Sequence, residues 1–281
     1  MSVGKTLRLR RLLGKGRTLV VPLDHGLVAG PLDGIEDPVA LVKLIAQSDA
    51  DAVLVTPGVL EQVAGELGNL AVILRVDGCN SVRGGGAMHQ FASVAHALEM
   101  GADAVIVNAT IGGGQESVEL LKLGQVAEEA RRWGMPLVAE MLSQRMLSNH
   151  LDFTGQGTDP LPPEAAQDIA LASRIGAEMG ADIIKTRYSG DVESFRRTVA
   201  ATGRPVMVAG GPRRDLSLRP LLAMVDECLS AGAEGIIFGR QVWQHPRPAA
   251  VLAALAAMVH EDASVAQALA VAEERQFVAS P

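Results

Sequence analysis

Cysteine is nearly absent. Cys79 and Cys228 lie far apart without metal-ligand spacing, which excludes a disulfide framework and a cysteine-based zinc site. Both read as small apolar residues of the interior. Positive charge is also in deficit, with 25 basic against 32 acidic residues and a net charge of −7. A nucleic-acid footprint needs clustered basic residues, so nucleic acid is not an expected partner. No apolar run approaches the roughly 18 residues of a membrane span. The basic N-terminal stretch with Lys5, Arg8, Arg10, Arg11, Lys15 and Arg17 lacks the continuous apolar core of a signal peptide. A soluble, cytoplasmic protein with no membrane partner is expected. His89, His96, His245 and His260 show no ligand spacing and read as surface or helix residues, so no metal is called for.

What is present is apolar material, 48% of the chain against 20% charged, enough for one large domain over residues 1–281. A short pattern recurs in it. Gly101-Ala102-Asp103, Gly180-Ala181-Asp182 and Gly232-Ala233-Glu234 each close a helical pattern and precede a β-branched run, and Asp49-Ala50-Asp51 is a fourth copy without the glycine. The other strand candidates are Thr18 to Asp24, Leu70 to Asp77, Pro136 to Leu142 and Pro205 to Gly211. Eight apolar runs alternating with helical patterns predict a parallel sheet closed as a single (β/α)8 TIM barrel over about 18–247. A doubly wound open sheet is disfavoured because no Gly-x-Gly-x-x-Gly follows the first strand. Two further helices, within 248–275, would pack outside the barrel or against another subunit.

Catalytic groups of such barrels stand at the C-terminal strand ends. Of five lysines, Lys5, Lys15, Lys43 and Lys122 fall in the N-terminal segment or on predicted helices, and Lys185 alone lies in a strand. A lysine desolvated among apolar neighbours can attack a carbonyl as a neutral amine, whereas a buried ion pair would explain the same position. Asp24 and His25 end the first strand, and period-two alternation puts Asp24 on the face of Val20. Asp24 can hold the lysine or move protons, or form a turn with its own backbone. Glu140 shares a face with Leu142 and is either an acid or the ion-pair partner of Lys185 or an arginine. Gly210, Gly211 and Gly239 end the seventh and eighth strands, where barrels bind phosphate, and Arg240 can add a charged contact. Arg187 and Asp77 are candidate substrate contacts, although Asp77 equally suits a turn. Gly112-Gly113-Gly114 reads as a loop rather than a phosphate cradle, and Tyr188 points away from Lys185.

Pro22-Leu23-Asp24-His25-Gly26, Gly180 to Thr186, Ala209-Gly210-Gly211-Pro212 and Gly239 to His245 together resemble the class I aldolases of the DeoC/FbaB superfamily, in family order from about Arg8 to His260. The resemblance implies that Lys185 forms the Schiff base, Asp24 is its acid/base partner, and the glycine ends with Arg240 hold phosphate. It implies a lyase acting on a small phosphorylated ketose or ketone, needing no cofactor, and a homo-oligomer. Leu142 departs from the family pattern, standing where its aldolases carry a proton-transferring tyrosine. Leu74-Arg75 and Gly78-Cys79-Asn80-Ser81 also resemble the superfamily's thiolase, which transfers an acyl group to coenzyme A. In that reading His25 is a second catalytic residue. A barrel that keeps phosphate binding without catalysis is the third alternative.

Overall fold

A computed structural model describes residues 2–14, 16–150, 164–212 and 217–278. Eight short strands form its centre: β1 Thr18–Pro22, β2 Ala52–Val55, β3 Ala71–Arg75, β4 Ala104–Ile111, β5 Leu137–Ser143, β6 Ile183–Arg187, β7 Val206–Ala209 and β8 Gly235–Ile237. Each pairs in parallel with its sequence neighbours, and β8 pairs with β1 to close the barrel. The expected (β/α)8 architecture is therefore present. A two-stranded antiparallel ribbon, Asp77–Gly78 with His89–Gln90, stands on the loop after β3.

Strand alternation divides the apolar residues into two cores. Val20, Leu54, Ile73, Ile106, Val138, Ile183, Met207 and Ile237 fill the lower barrel interior, and Leu12 of the helix Val3–Leu13 plugs it from below. The opposite strand faces pack on the surrounding helices. Two residues further along the inward face come Arg75 in β3, Asn108 in β4, Glu140 in β5 and Lys185 in β6. The register sets Asn108 beside Glu140 and Glu140 beside Lys185. Above the apolar floor the barrel is thus lined by charge.

The recurring Gly-Ala-Asp pattern has a structural cause at the other end. Asp51 accepts the Leu19 N–H at 2.8 Å, Asp103 the Val72 N–H at 2.9 Å and Asp182 the Leu137 N–H at 2.9 Å. Each aspartate before a strand satisfies the first amides of the preceding strand, where the sheet ladder has not begun. Asp103 and Asp182 also pair with Arg11 and Lys5 of the N-terminal helix, at 2.9 and 2.7 Å, and so fasten the plug. The C-terminal helices Pro248–Glu261 and Val265–Val278 pack outside the barrel, against β1, the helix Leu218–Ser230 and each other.

Asp103→Ala should cost about 1–3 kcal/mol, because it leaves the buried Val72 amide without its acceptor and releases Arg11. Glu234→Ala, at the exposed glutamate of the Gly232-Ala233-Glu234 copy, should cost less than about 0.5 kcal/mol. Denaturant unfolding of the two variants checks the difference.

Candidate active site

At the C-terminal end of the barrel a single guanidinium gathers three carboxylates. Arg75 donates from Nε to Asp24 Oδ2 at 2.9 Å, from Nη1 to Asp77 Oδ1 at 3.2 Å and from Nη2 to Glu140 Oε2 at 2.5 Å. Glu140 Oε1 in turn lies 2.6 Å from Lys185 Nζ. On the other flank Asp77 Oδ2 accepts from Lys122 Nζ at 2.6 Å and from the Asn108 amide at 2.8 Å. Lys122 reaches in from the helix Glu116–Trp133. Asp24, Asp77 and Glu140 face Arg75, Lys122 and Lys185, so formal charge balances among six buried groups. Balance of this kind offsets the desolvation of each member.

Burial opposes ionisation of Asp24, but the Arg75 guanidinium, with His25 and Lys185 behind it, outweighs that and holds the carboxyl below its ordinary range. Burial likewise opposes the charge on Arg75, and Asp24, Glu140 and Asp77 together raise it above the ordinary arginine value. The network encloses a narrow cavity of about 60 Å3, lined by Asp24, His25, Arg75, Asp77, Glu140 and Lys185 with Leu27, Val28, Gly78, Met88 and Asn108. Lys185 is only 4% exposed and lines this cavity.

Around the rim, beyond Lys185, lie the ends of β6, β7 and β8. Arg187 and Arg240 are buried there. Gly211 has φ of +68° and passes so close to Arg187 that a Cβ would meet its guanidinium at 3.2 Å. A Cβ on Gly239 would meet the Pro22 carbonyl at 2.9 Å and His25 at 3.0 Å. His25 therefore stands between the two regions, its Nδ1 3.4 Å from Asp24 Oδ1 and its ring edge-on to Trp243 at 5.3 Å.

Residues 18–245 match the DeoC/LacD family aldolase sequence profile. The chain belongs to that family. Among its relatives, a 2-amino-3,7-dideoxy-D-threo-hept-6-ulosonate synthase of Halobacterium salinarum is 36% identical over 271 residues, 96% of each chain. A 3-hydroxy-5-phosphonooxypentane-2,4-dione thiolase of Yersinia pseudotuberculosis is 32% identical, over 94% of this chain and 85% of that one. The fold superposes with a TM-score of 0.79 on an archaeal fructose-1,6-bisphosphate aldolase whose catalytic Lys is covalently bound to the carbinolamine intermediate of its substrate. That protein is 28% identical, with 91% of this chain and 99% of that chain covered.

Within this DeoC/LacD barrel, Lys185, Asp24, His25, Glu140 and Asp77 line one cavity, as the strand-end reasoning expected. Lys185 is not an amine isolated among apolar groups, because it faces Glu140. Both Asp77 oxygens are engaged by protein groups, which gives Asp77 a share in the framework of the site rather than a turn. Gly210 does not offer its amide to the mouth: that N–H points to the Ile237 carbonyl at 3.4 Å, and a Cβ there would meet Phe238 at 2.8 Å. Leu142 is fully buried and does not line the cavity. Tyr188, the sole tyrosine of the sequence, donates to Glu227 at 2.8 Å on the outer side, and burial with that bond raises its hydroxyl above the ordinary range. Cys79 is exposed, contrary to expectation, at the end of the ribbon. His245 is buried too, its Nδ1 accepting the Arg247 amide.

Arg75 and Lys122 are the two groups whose place the sequence did not disclose. Arg75 carried a signal of the same kind as Lys185, a cation ending the apolar run Ala71-Val72-Ile73-Leu74. Lys122 carried none beyond its place in a helix. Among the described residues no cluster of His, Cys, Asp and Glu is arranged to hold a metal ion, and no helix is long and apolar enough to cross a membrane.

Lys122→Met should destabilise the fold by about 3 kcal/mol, since it strips a buried carboxylate of one cation. Adding Asp77→Asn to Lys122→Met should restore more than half of that in a double-mutant unfolding cycle. Asp24 generates a second expectation. Its folded carboxyl stays ionised below the ordinary 3.8, so in acid the unfolded chain binds the proton first. The stability it contributes is full above that pH and is lost as pH falls from there through the folded value. Asp24→Asn should therefore show a shallower loss of stability below about pH 4 than the wild type, read by urea titration across pH.

Proposed function

We propose that this chain is a class I aldolase that joins Lys185 to the carbonyl carbon of a small phosphorylated ketose or ketone. The observation that carries the reading is the contact between Lys185 Nζ and Glu140 in the charged cavity. Glu140 takes a proton from the ammonium, and the freed amine adds to the carbonyl to give a carbinolamine. Return of a proton expels the hydroxyl as water and leaves an iminium. The pair Asp24 and His25 removes the proton from the substrate's β-hydroxyl, and the adjacent carbon–carbon bond breaks. Its electrons pass to the iminium nitrogen, an aldehyde departs, and an enamine remains on Lys185. Protonation of the enamine carbon and hydrolysis release the ketone and the lysine. The imine is the electron sink, so this chemistry calls for no cofactor. Arg187, Arg240 and the Gly211 and Gly239 backbones are assigned to the substrate phosphate, with the donor bonds to Arg240 charge-assisted.

A second reading is acyl transfer from a phosphorylated diketone to coenzyme A. It is favoured by the lack of a tyrosine among the cavity-lining residues and by the place of His25 beside Asp24.

Borohydride reduction in the presence of a phosphorylated ketone should leave a stable adduct on Lys185, identified by peptide mass spectrometry. Lys185→Ala and Lys185→Arg should lose both adduct and turnover while keeping the fold, since guanidinium forms no imine. An adduct persisting in Lys185→Ala would refute the assignment. Glu140→Gln should lower turnover by about 10²–10⁴-fold and remove one limb of the pH profile. Coenzyme A-dependent consumption of a diketone phosphate, with no retro-aldol products from any ketose, would select the second reading.

A further inference from the structure

Asn108 lines the same cavity of about 60 Å3 as Lys185, and its side chain takes no part in the charge network. The residue is 4% exposed. Its backbone N–H donates to Asp77 Oδ2 at 2.8 Å, so the main chain alone fixes its place in β4. Thr110, two residues on and therefore on the same strand face, donates from Oγ1 to Asn108 Oδ1 at 3.4 Å. That contact turns the carbonyl end of the amide toward Thr110. The Nδ2 end carries two N–H donors, and among the described residues it meets no acceptor.

A nearly buried amide with both donors unpaired forgoes free energy that a protein acceptor would have recovered. Acceptors are close at hand, because Asp24, Asp77 and Glu140 line the same cavity. Arg75, Lys122 and Lys185 engage them instead. Nδ2 is thereby left to a ligand. The register sets Asn108 beside Glu140 and Glu140 beside Lys185, so Asn108 stands on the β4 side of the lysine. The buried Arg187 of β6 and Arg240 after β8 stand on the other. A ketone joined to Lys185 at its carbonyl carbon, with its phosphate toward those arginines, directs its next carbon to Asn108. Carboxylates there only accept and the amide nitrogen only donates, whereas a hydroxyl does both and satisfies the two together.

We infer that Asn108 is a specificity-determining residue whose Nδ2 donates to a hydroxyl on the carbon next to the imine carbon, on the side away from the phosphate. The same hydroxyl donates in turn to the carboxylate of Glu140, the strand neighbour of Asn108. A ketone with only hydrogen on that carbon leaves the amide unpaired and binds less well. This rests on the Schiff-base reading and adds to it a residue that recognises the substrate without moving a proton.

Two phosphorylated ketones isolate the hydroxyl. Dihydroxyacetone phosphate carries it next to the carbonyl, and 2-oxopropyl phosphate has hydrogen there with the same carbonyl and phosphate. Inactivation by borohydride is measured against the concentration of each ketone, and the Lys185 adduct is confirmed by peptide mass spectrometry. In the wild type, half-maximal trapping by dihydroxyacetone phosphate should need a concentration at least about tenfold below that of 2-oxopropyl phosphate, since a site built to bond a hydroxyl rejects the analogue lacking it. Asn108→Ala and the near-isosteric Asn108→Leu, both of which keep the backbone bond to Asp77, should bring the two concentrations within about threefold of each other, chiefly by weakening dihydroxyacetone phosphate. The ratio is internal to each variant, so a loosened site, which weakens both ketones alike, is told apart from a lost hydroxyl bond. No preference in the wild type, a preference that survives both substitutions, or equal weakening of the two ketones would overturn the inference and leave the Schiff base standing. Absence of a Lys185 adduct with either ketone would overturn both.

Discussion

Three carboxylates converge on the mouth of this barrel because one guanidinium holds them there. Asp24 follows β1, Asp77 follows β3 and Glu140 lies in β5, and without Arg75 their mutual repulsion in a buried setting would drive at least one to protonate or swing away. Only arginine fits the position. Its planar fork presents separate N–H groups in three directions, whereas a lysine ammonium would serve them as a single point charge. Arg75 is therefore the constraint on which the site depends, and it ties β1 to β5 across the barrel interior as well.

The consequence for Lys185 is positional. An amine at a barrel mouth has several rotamers, and for the proposed addition each one populated away from the substrate carbon would lower the rate. Glu140, pinned by Arg75 through one oxygen, leaves the other to face Lys185 at 2.6 Å. The lysine is thus aimed by a residue that is itself aimed. On the far flank Lys122 closes the charge balance through Asp77, so a helix outside the barrel takes part in fixing the charged layer inside it. The apolar floor of Leu54, Ile73, Ile106 and Met207, plugged by Leu12, supplies stability that this charged layer cannot supply for itself.

Much of this was written in one dimension. Alternation along Val138, Glu140 and Leu142 placed Glu140 inside the barrel, and the same argument placed Asp24 above Val20 and set Lys185 apart from the other lysines. Those inferences work because a strand has a strict period of two. What escaped notice depended on geometry with no such period. Whether Lys122 faces solvent or the site is set by the rotation of the helix Glu116–Trp133 against the barrel, and a lysine in a helix reads the same either way. Gly210 was misread for a related reason. Glycine at a strand end suits an anion-binding amide or a close approach, and only the position of Phe238 decides for the second. The Gly-Ala-Asp pattern was legible as a repeat, but its purpose was not, because the amide each aspartate satisfies belongs to the strand before it.

The buried leucine at position 142 bears on how protons move. With no tyrosine among the cavity-lining residues, the proposed reading assigns proton transfer to Glu140, Asp24 and His25. Asp24 accepts from Arg75, whose guanidinium holds the carboxyl ionised and suits it to take a proton rather than give one. Reprotonation of an enamine carbon requires a donor. His25 is the lining group whose ordinary titration range brackets neutral pH, and it stands 3.4 Å from Asp24 with its ring edge-on to Trp243. Gly239 allows the ring to lie close against β8. On the proposed reading the division of labour follows from the neighbours: Glu140 would serve the lysine nitrogen, and the Asp24 and His25 pair the substrate carbon and its hydroxyl.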